Sequence, residues 1–159
     1  MSSTPQENVV AHQIVDAAFK IHSTLGPGLL ESVYEAVLAH ELRQRGLLVQ
    51  CQVPIAVNYE RLRFDVGFRA DMVVNDLVLV ERKSVEHEAP VHKKQTLTYV
   101  RLARLRLGIL INFGQRRVKD GITRLANGLP DHDLGALAAS RDSCGAPGSA
   151  MAINPGHPV

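Results

Sequence analysis

The sequence predicts an α/β fold with a mixed β-sheet flanked by helices, and three patterns carry that expectation. Helical hydrophobic spacing fills residues 9–25 and 29–45, β-type patterning fills much of 48–83, and a helix from Pro90 leads into the apolar run Leu107-Gly-Ile-Leu-Ile-Asn112. Helix, helix, strands, helix, strand, with no internal repeat, is the order of an α/β core. At 159 residues, 45% hydrophobic and 21% charged, the chain has the size of one globular domain that buries a core. The expected layout is a flexible N-terminus over 1–8, a folded domain over 9–127 and a flexible tail over 128–159. The tail composition, mainly Gly, Ala, Pro, Ser and Asp, offers little to offset the entropy of ordering.

In the first helix, Val9, Ile14, Val15, Ala18, Phe19, Ile21 and Leu25 recur at near-helical spacing, and Gly26-Pro27-Gly28 ends it. The second helix, from about Leu29 to Arg45, sets Leu30, Val33, Tyr34, Val37, Leu38 and Leu42 on its apolar face. Glu31 falls in its first turn. Either it complements the helix dipole, or Gly28 lets this helix start approach another backbone and brings Glu31 toward a site elsewhere.

Residues 48–57 alternate as a strand with one polar face, and Pro54 marks an edge strand or a bulge. Tyr59–Leu62 reads as a hairpin connection. Then Phe68–Val74 and Leu77–Lys83 read as two apolar strands joined at Asn75-Asp76. The helix from Pro90 extends to about Leu105, and Val118–Ala126 is a last strand or short helix.

Strands this rich in Val, Leu and Met are expected to be buried on both faces, yet they carry Asp71, Glu81 and Lys83. Burying unpaired carboxylates costs several kcal/mol, roughly, unless a cation compensates. A metal is one candidate: two hard oxygen ligands suit Mg²⁺ or Mn²⁺, and a lysine can orient water or stabilise charge on a phosphoryl oxygen. A buried Asp–Lys ion pair with Glu81 exposed at a strand end is the other reading.

Net charge is only +2, but half of the 18 Lys and Arg lie between Lys93 and Arg124, against one acid, Asp120. Such clustering suits a phosphate backbone or a solvated helix face. Cys51 and Cys144 have no metal-ligand spacing and are expected to be free thiols. His22, His40, His87 and His92 fit no metal pattern and are expected at the surface. No apolar run reaches the ~18 residues of a membrane span, and the polar start lacks the regions of a secretory signal, so the expected compartment is the cytoplasm. Phosphate loops of the Walker type and nucleophile-elbow serines are absent, which leaves nucleotide hydrolysis and acyl transfer without residues to perform them.

Gly28-Leu-Leu-Glu31-Ser-Val-Tyr34 resembles the defining motif of the GxxExxY proteins, a group placed within the PD-(D/E)XK nuclease superfamily. Phe68-Arg-Ala-Asp71, Val80-Glu81-Arg-Lys83, Pro90-Val-His-Lys-Lys-Gln95-Thr-Leu-Thr-Tyr99 and Leu110-Ile-Asn-Phe-Gly114 resemble its later motifs, in the same order. The resemblance implies a restriction-endonuclease-like core. It also implies that Asp71 and Glu81 bind Mg²⁺ or Mn²⁺, that Lys83 serves water and phosphate, and that Glu31 completes the acidic cluster. Gln95 and Tyr99, one helical turn apart, resemble the helix motif beside the site; a capping or core role is their alternative. Arg82 stands where relatives more often have an apolar residue, which bears on packing behind the strand.

The expected activity is metal-dependent hydrolysis of DNA, RNA not being excluded, with Lys93, Lys94, Arg101, Arg104, Arg116 and Arg117 on the backbone and a homodimer for cutting both strands. A catalytically silent nucleic-acid-binding or partner-binding module and a structural subunit are the alternatives. The nuclease reading imposes a register. A plain two-residue loop at 75–76 would pair Asp71 with Val80 and send Glu81 to the opposite face. A three-residue loop over 75–77, or a bulge, pairs Asp71 with Glu81 and points both acids and Lys83 one way.

Overall fold

The computed structural model describes residues 5–128. Along it run α1 (Gln6–Leu25), α2 (Glu31–Gln44), β1 (Val49–Tyr59), β2 (Leu62–Val74), β3 (Val78–Lys83), α3 (Pro90–Leu102), β4 (Leu107–Asn112), a 3-10 turn (Val118–Gly121) and β5 (Ile122–Ala126). The strands form one sheet in chain order, antiparallel except for the parallel β3–β4 pair. A parallel pair needs a crossover, and α3 supplies it. This is the expected mixed sheet flanked by helices. Most of the tail expected over 128–159, with Cys144, lies outside the described residues, as do residues 1–4.

The apolar residues form two cores, one on each face of the sheet. Ile14, Ala18, Ile21, Tyr34, Leu38 and Leu42 of α1 and α2 pack with Met72, Val74, Val78, Val80, Ile109 and Ile111. Opposite, Val100 of α3 packs with Ala70, Val73 and Leu79, joined by Phe68 and Tyr99. β3 and β4 are thus covered on both sides, which is why they read as continuous apolar runs. β1 is an edge strand with a register shift between Ile55 and Val57, so it both lies at an edge and carries the irregularity that Pro54 announces.

Several local expectations change. α1 begins before residue 9: Glu7 and Asn8 are buried, accepting hydrogen bonds from Arg106 and Arg124, so these two arginines tie the helix start to the sheet. Leu30 and Val33 are exposed, because Leu30 caps α2 from outside and Tyr34, Leu38 and Leu42 carry the buried stripe. His22 is half-buried, its Nε2 2.8 Å from the Gln115 carbonyl oxygen, and burial lowers its pKa.

The β2–β3 connection adopts the offset register. Val74 pairs with Val78, Val73 with Leu79 and Met72 with Val80, leaving three residues in the loop. Asn75 and Asp76 both take left-handed φ, +52° and +54°, a region that Asn and Asp tolerate better than other side-chain-bearing residues. Asn75 is also bound to the neighbouring strand start: its N–H donates to the Leu48 carbonyl and its Oδ1 accepts from the Leu48 N–H, both at 2.8 Å.

Behind the end of β3, Asn112 is fully buried and stitches the following loop to β4. Its Oδ1 accepts from the Val85 and Gly114 N–H groups at 3.1 and 3.0 Å, and its Nδ2 donates to the Val85 carbonyl at 2.9 Å. The loop passes so close that a Cβ on Gly114 would lie 2.3 Å from the Val85 carbonyl oxygen. Asn112→Ala should therefore lower stability by about 2–3 kcal/mol, read from urea unfolding, since it strands backbone groups that nothing else satisfies.

Candidate active site

The site forms where β2 and β3 part. Cys51 and Met72 belong to the α1–α2 core, whereas Val53 and Ala70 belong to the α3 core. Residues two apart should share a face, so both strands switch faces together across Gln52 and Asp71. Gln52 has φ +52°, outside the β region, and this breaks the alternation. Asp71 sits at the switch, between Ala70 and Met72 of the two cores.

Glu81 continues the offset register and meets Asp71. Its Oε1 accepts from the Asp71 N–H at 3.0 Å, and Asp71 Oδ2 accepts from the Arg82 N–H at 3.1 Å. The two carboxyl groups lie close enough for the charge of Asp71 to act on Glu81. Glu81 is 6% exposed. Burial, then the charge of Asp71, pushes its pKa up to about 8, and burial raises Asp71 as well. The Lys83 ammonium pulls both downward, so its charge reaches the two acids. Asp71, Glu81 and Lys83 are thus brought together.

α3 presents Gln95 and Tyr99 beside them. Gln95 Nε2 donates to the Tyr99 hydroxyl at 2.8 Å, and the Tyr99 ring stacks on Phe68 at 4.0 Å between centroids. Burial raises the Tyr99 pKa, with the charges of Glu81 and Asp71 adding to it. The expected helix motif therefore borders the acids.

Glu31 arrives from α2, and its charge also reaches Asp71. Its Oε1 accepts from the Ser84 N–H at 3.3 Å, and its Oε2 lies 3.7 Å from Arg82. Among the described residues, no group of three or more His, Cys, Asp or Glu is arranged to hold a metal ion. Gly28 serves this entry through its φ of +97° rather than through a close approach, since a Cβ there would meet nothing within 4 Å. Tyr34 closes the same turn: its hydroxyl donates to the Gly26 carbonyl at 2.5 Å and accepts from the Leu29 N–H at 3.2 Å, while its ring stacks on Phe113. Gly28, Glu31 and Tyr34 so form one device that docks the start of α2 on the Ser84 backbone.

Arg82 does more than pack behind the strand. Its buried guanidinium binds Glu35, lies 3.5 Å from Asp71 Oδ2 and faces Glu31. Alternation correctly sends it away from Lys83, but strand divergence at Asp71 leaves room for a long side chain to reach round. Glu35, one turn after Glu31, was the available signal for such a partner. Glu35 is further fixed by Gln52 Nε2 at 2.8 Å.

The basic residues fall in three places. Lys93 and Lys94 lie at the start of α3, with Lys93 3.7 Å from Glu88; Arg101 and Arg104 lie at its end; Arg116 and Arg117 follow β4, with Arg117 3.4 Å from Asp120.

A paired carboxylate that keeps a proton near neutral pH, with a lysine in reach, fits a divalent cation: both acids offer hard oxygens, and water and phosphate could fill the remaining positions. No helix among the described residues is long and apolar enough to cross a membrane. Comparison with curated proteins and with solved structures finds no match. A family model described as the PD-(D/E)XK nuclease superfamily matches residues 8–125, which span the sheet, all three helices and the acidic pair. The chain belongs to the PD-(D/E)XK nuclease superfamily.

Proposed function

We propose that the protein is a metal-dependent nuclease of the GxxExxY kind that hydrolyses DNA phosphodiester bonds. The observation that supports this best is the offset register, which sets the Glu81 carboxylate on the Asp71 amide at 3.0 Å and within the field of Lys83. Asp71 and Glu81 would hold Mg²⁺ or Mn²⁺, which supplies Lewis-acid stabilisation of the phosphoryl oxygens when bound. Both acids would serve as carboxylates, so metal binding would be accompanied by loss of the proton that Glu81 keeps near neutral pH. Lys83 holds the attacking water or neutralises charge developing on the phosphate. Gln95 and Tyr99 border the approach from α3, and Glu31 fixes the Ser84 backbone and Arg82. Lys93, Lys94, Arg101, Arg104, Arg116 and Arg117 contact the backbone of DNA, or of RNA. We place the protein in the cytoplasm, as a homodimer where both strands are cut.

The second reading, a catalytically silent binding module, draws on Arg82. Its guanidinium already gives Asp71, Glu31 and Glu35 a cation. One assay on single-stranded, double-stranded and branched DNA with Mg²⁺ or Mn²⁺ decides. A nuclease cuts, and Asp71→Ala and Lys83→Ala each lower the rate by about 10²-fold or more. DNA held without metal and left intact with it makes the chain a binding module, and cleavage that survives both substitutions sinks the mechanism.

A further inference from the structure

We infer that the open cleft between the β1–β2 hairpin and the C-terminal end of α3 is a phosphate subsite for the nucleic acid that this site acts on, with Arg104 as its built-in anchor. The inference rests on the nuclease reading for the identity of its ligand. The cleft, about 510 Å³, is lined by Arg63, Arg101 and Arg104 together with Pro54, Asn58 and neutral residues of both elements, and no carboxylate lines it. Three arginines lining one concavity suit phosphate, which arginine binds in a planar, multidentate way. Arg63 enters from β2, outside the basic 93–124 segment, so the hairpin completes the site. Its Nε lies 2.9 Å from Asp65 Oδ1 in a solvent-exposed ion pair, so Arg63 is the weaker contributor and Arg101 and Arg104 carry the site.

The second observation is the backbone at Arg104. α3 ends with the Ala103 N–H on the Tyr99 carbonyl and the Leu105 N–H on the Val100 carbonyl, both bonds near 3 Å, and Arg104 between them has φ +57°. This is the helix-ending position at which glycine is normally used, because a side chain there meets its own backbone at a cost of roughly 1 kcal/mol. An arginine at this position costs stability, and it places a cation in the cleft. Strain of this sort collects at functional sites.

The location suits a strand running from the acids. Tyr99, which senses the charges of Glu81 and Asp71, and Arg104 lie on one helix and its cap. A phosphate in the cleft would hold the substrate at the end of the helix that also borders the acids.

The test measures binding of the full chain to a fluorescent DNA duplex in metal-free buffer, across salt concentrations, beside thermal unfolding. Arg104→Gly should melt at the same temperature or higher, yet bind the duplex several-fold more weakly at 0.1 M salt. With Arg101→Ala added, the slope of log K against log salt should shrink by about 2, the loss of two phosphate contacts. Arg63→Ala should weaken binding in the same direction. Wild-type affinity and slope in the Arg101→Ala/Arg104→Gly variant would overturn the subsite, even if the wild type cuts DNA with Mg²⁺. Arginine-dependent binding without any cutting would support the subsite and remove the hydrolase reading instead.

Discussion

Glu81→Gln should abolish metal-dependent cleavage and at the same time raise the melting temperature above pH 8. Glutamine keeps the carbonyl oxygen that accepts the Asp71 N–H and, like the protonated acid, places no negative charge beside Asp71. What it removes is titration. In the folded protein Glu81 holds its proton up to about pH 8, against an ordinary value of 4.5. The folded state therefore binds more protons than the unfolded chain in between, so stability from this group is fully present below about pH 4.5 and is lost as pH rises through about 8. Asp71, also raised, adds in the same direction. Each group contributes a slope of at most roughly 1.4 kcal/mol per pH unit. Melting curves at pH 5, 7 and 9 should show the variant gaining on the wild type with pH. Mn²⁺ added at pH 9 should stabilise the wild type and leave Glu81→Gln unmoved. Parallel melting temperatures across the whole range would discard this account of the acidic pair.

Arg82→Met should destabilise the fold by about 3–5 kcal/mol, the usual result of removing one member of a buried ionic group. The guanidinium is the cation shared by Glu35, Asp71 and Glu31, and it is buried where water cannot replace it. Methionine fills similar volume, so the loss reports charge more than a cavity. Adding Glu35→Gln should recover part of the stability, because it removes the carboxylate that Arg82 holds most closely. Urea unfolding of the wild type, both single variants and the double variant gives the coupling energy. Strictly additive effects would show that Arg82 acts by packing alone.

The elements and their order were legible because local patterns set them. Helical spacing marked α1 and α2, and unbroken apolar runs marked β3 and β4, since strands covered on both faces need no polar side. The offset of the β2–β3 loop was legible only as a condition on chemistry. Asn75-Asp76 suits two loop lengths, and the bonds to Leu48 that fix the turn come from a strand 27 residues away. Arg82 was misjudged for a related reason: strand alternation tells which way a side chain leaves the backbone, not how far a flexible one reaches once its neighbours diverge.

The sequence by itself determined the fold class and the superfamily and singled out two acids and a lysine as candidates, because these depend on residue types at short spacing. Tertiary structure decided that Glu81 stands on the Asp71 amide, that Glu31 binds the Ser84 N–H and faces Arg82, and that Arg63 lines the same cleft as Arg101 and Arg104. Each of these depends on where separate elements come to rest, and that is settled by packing of the two cores and by one half-turn at Gln52 and Asp71, for which the local pattern carries no mark.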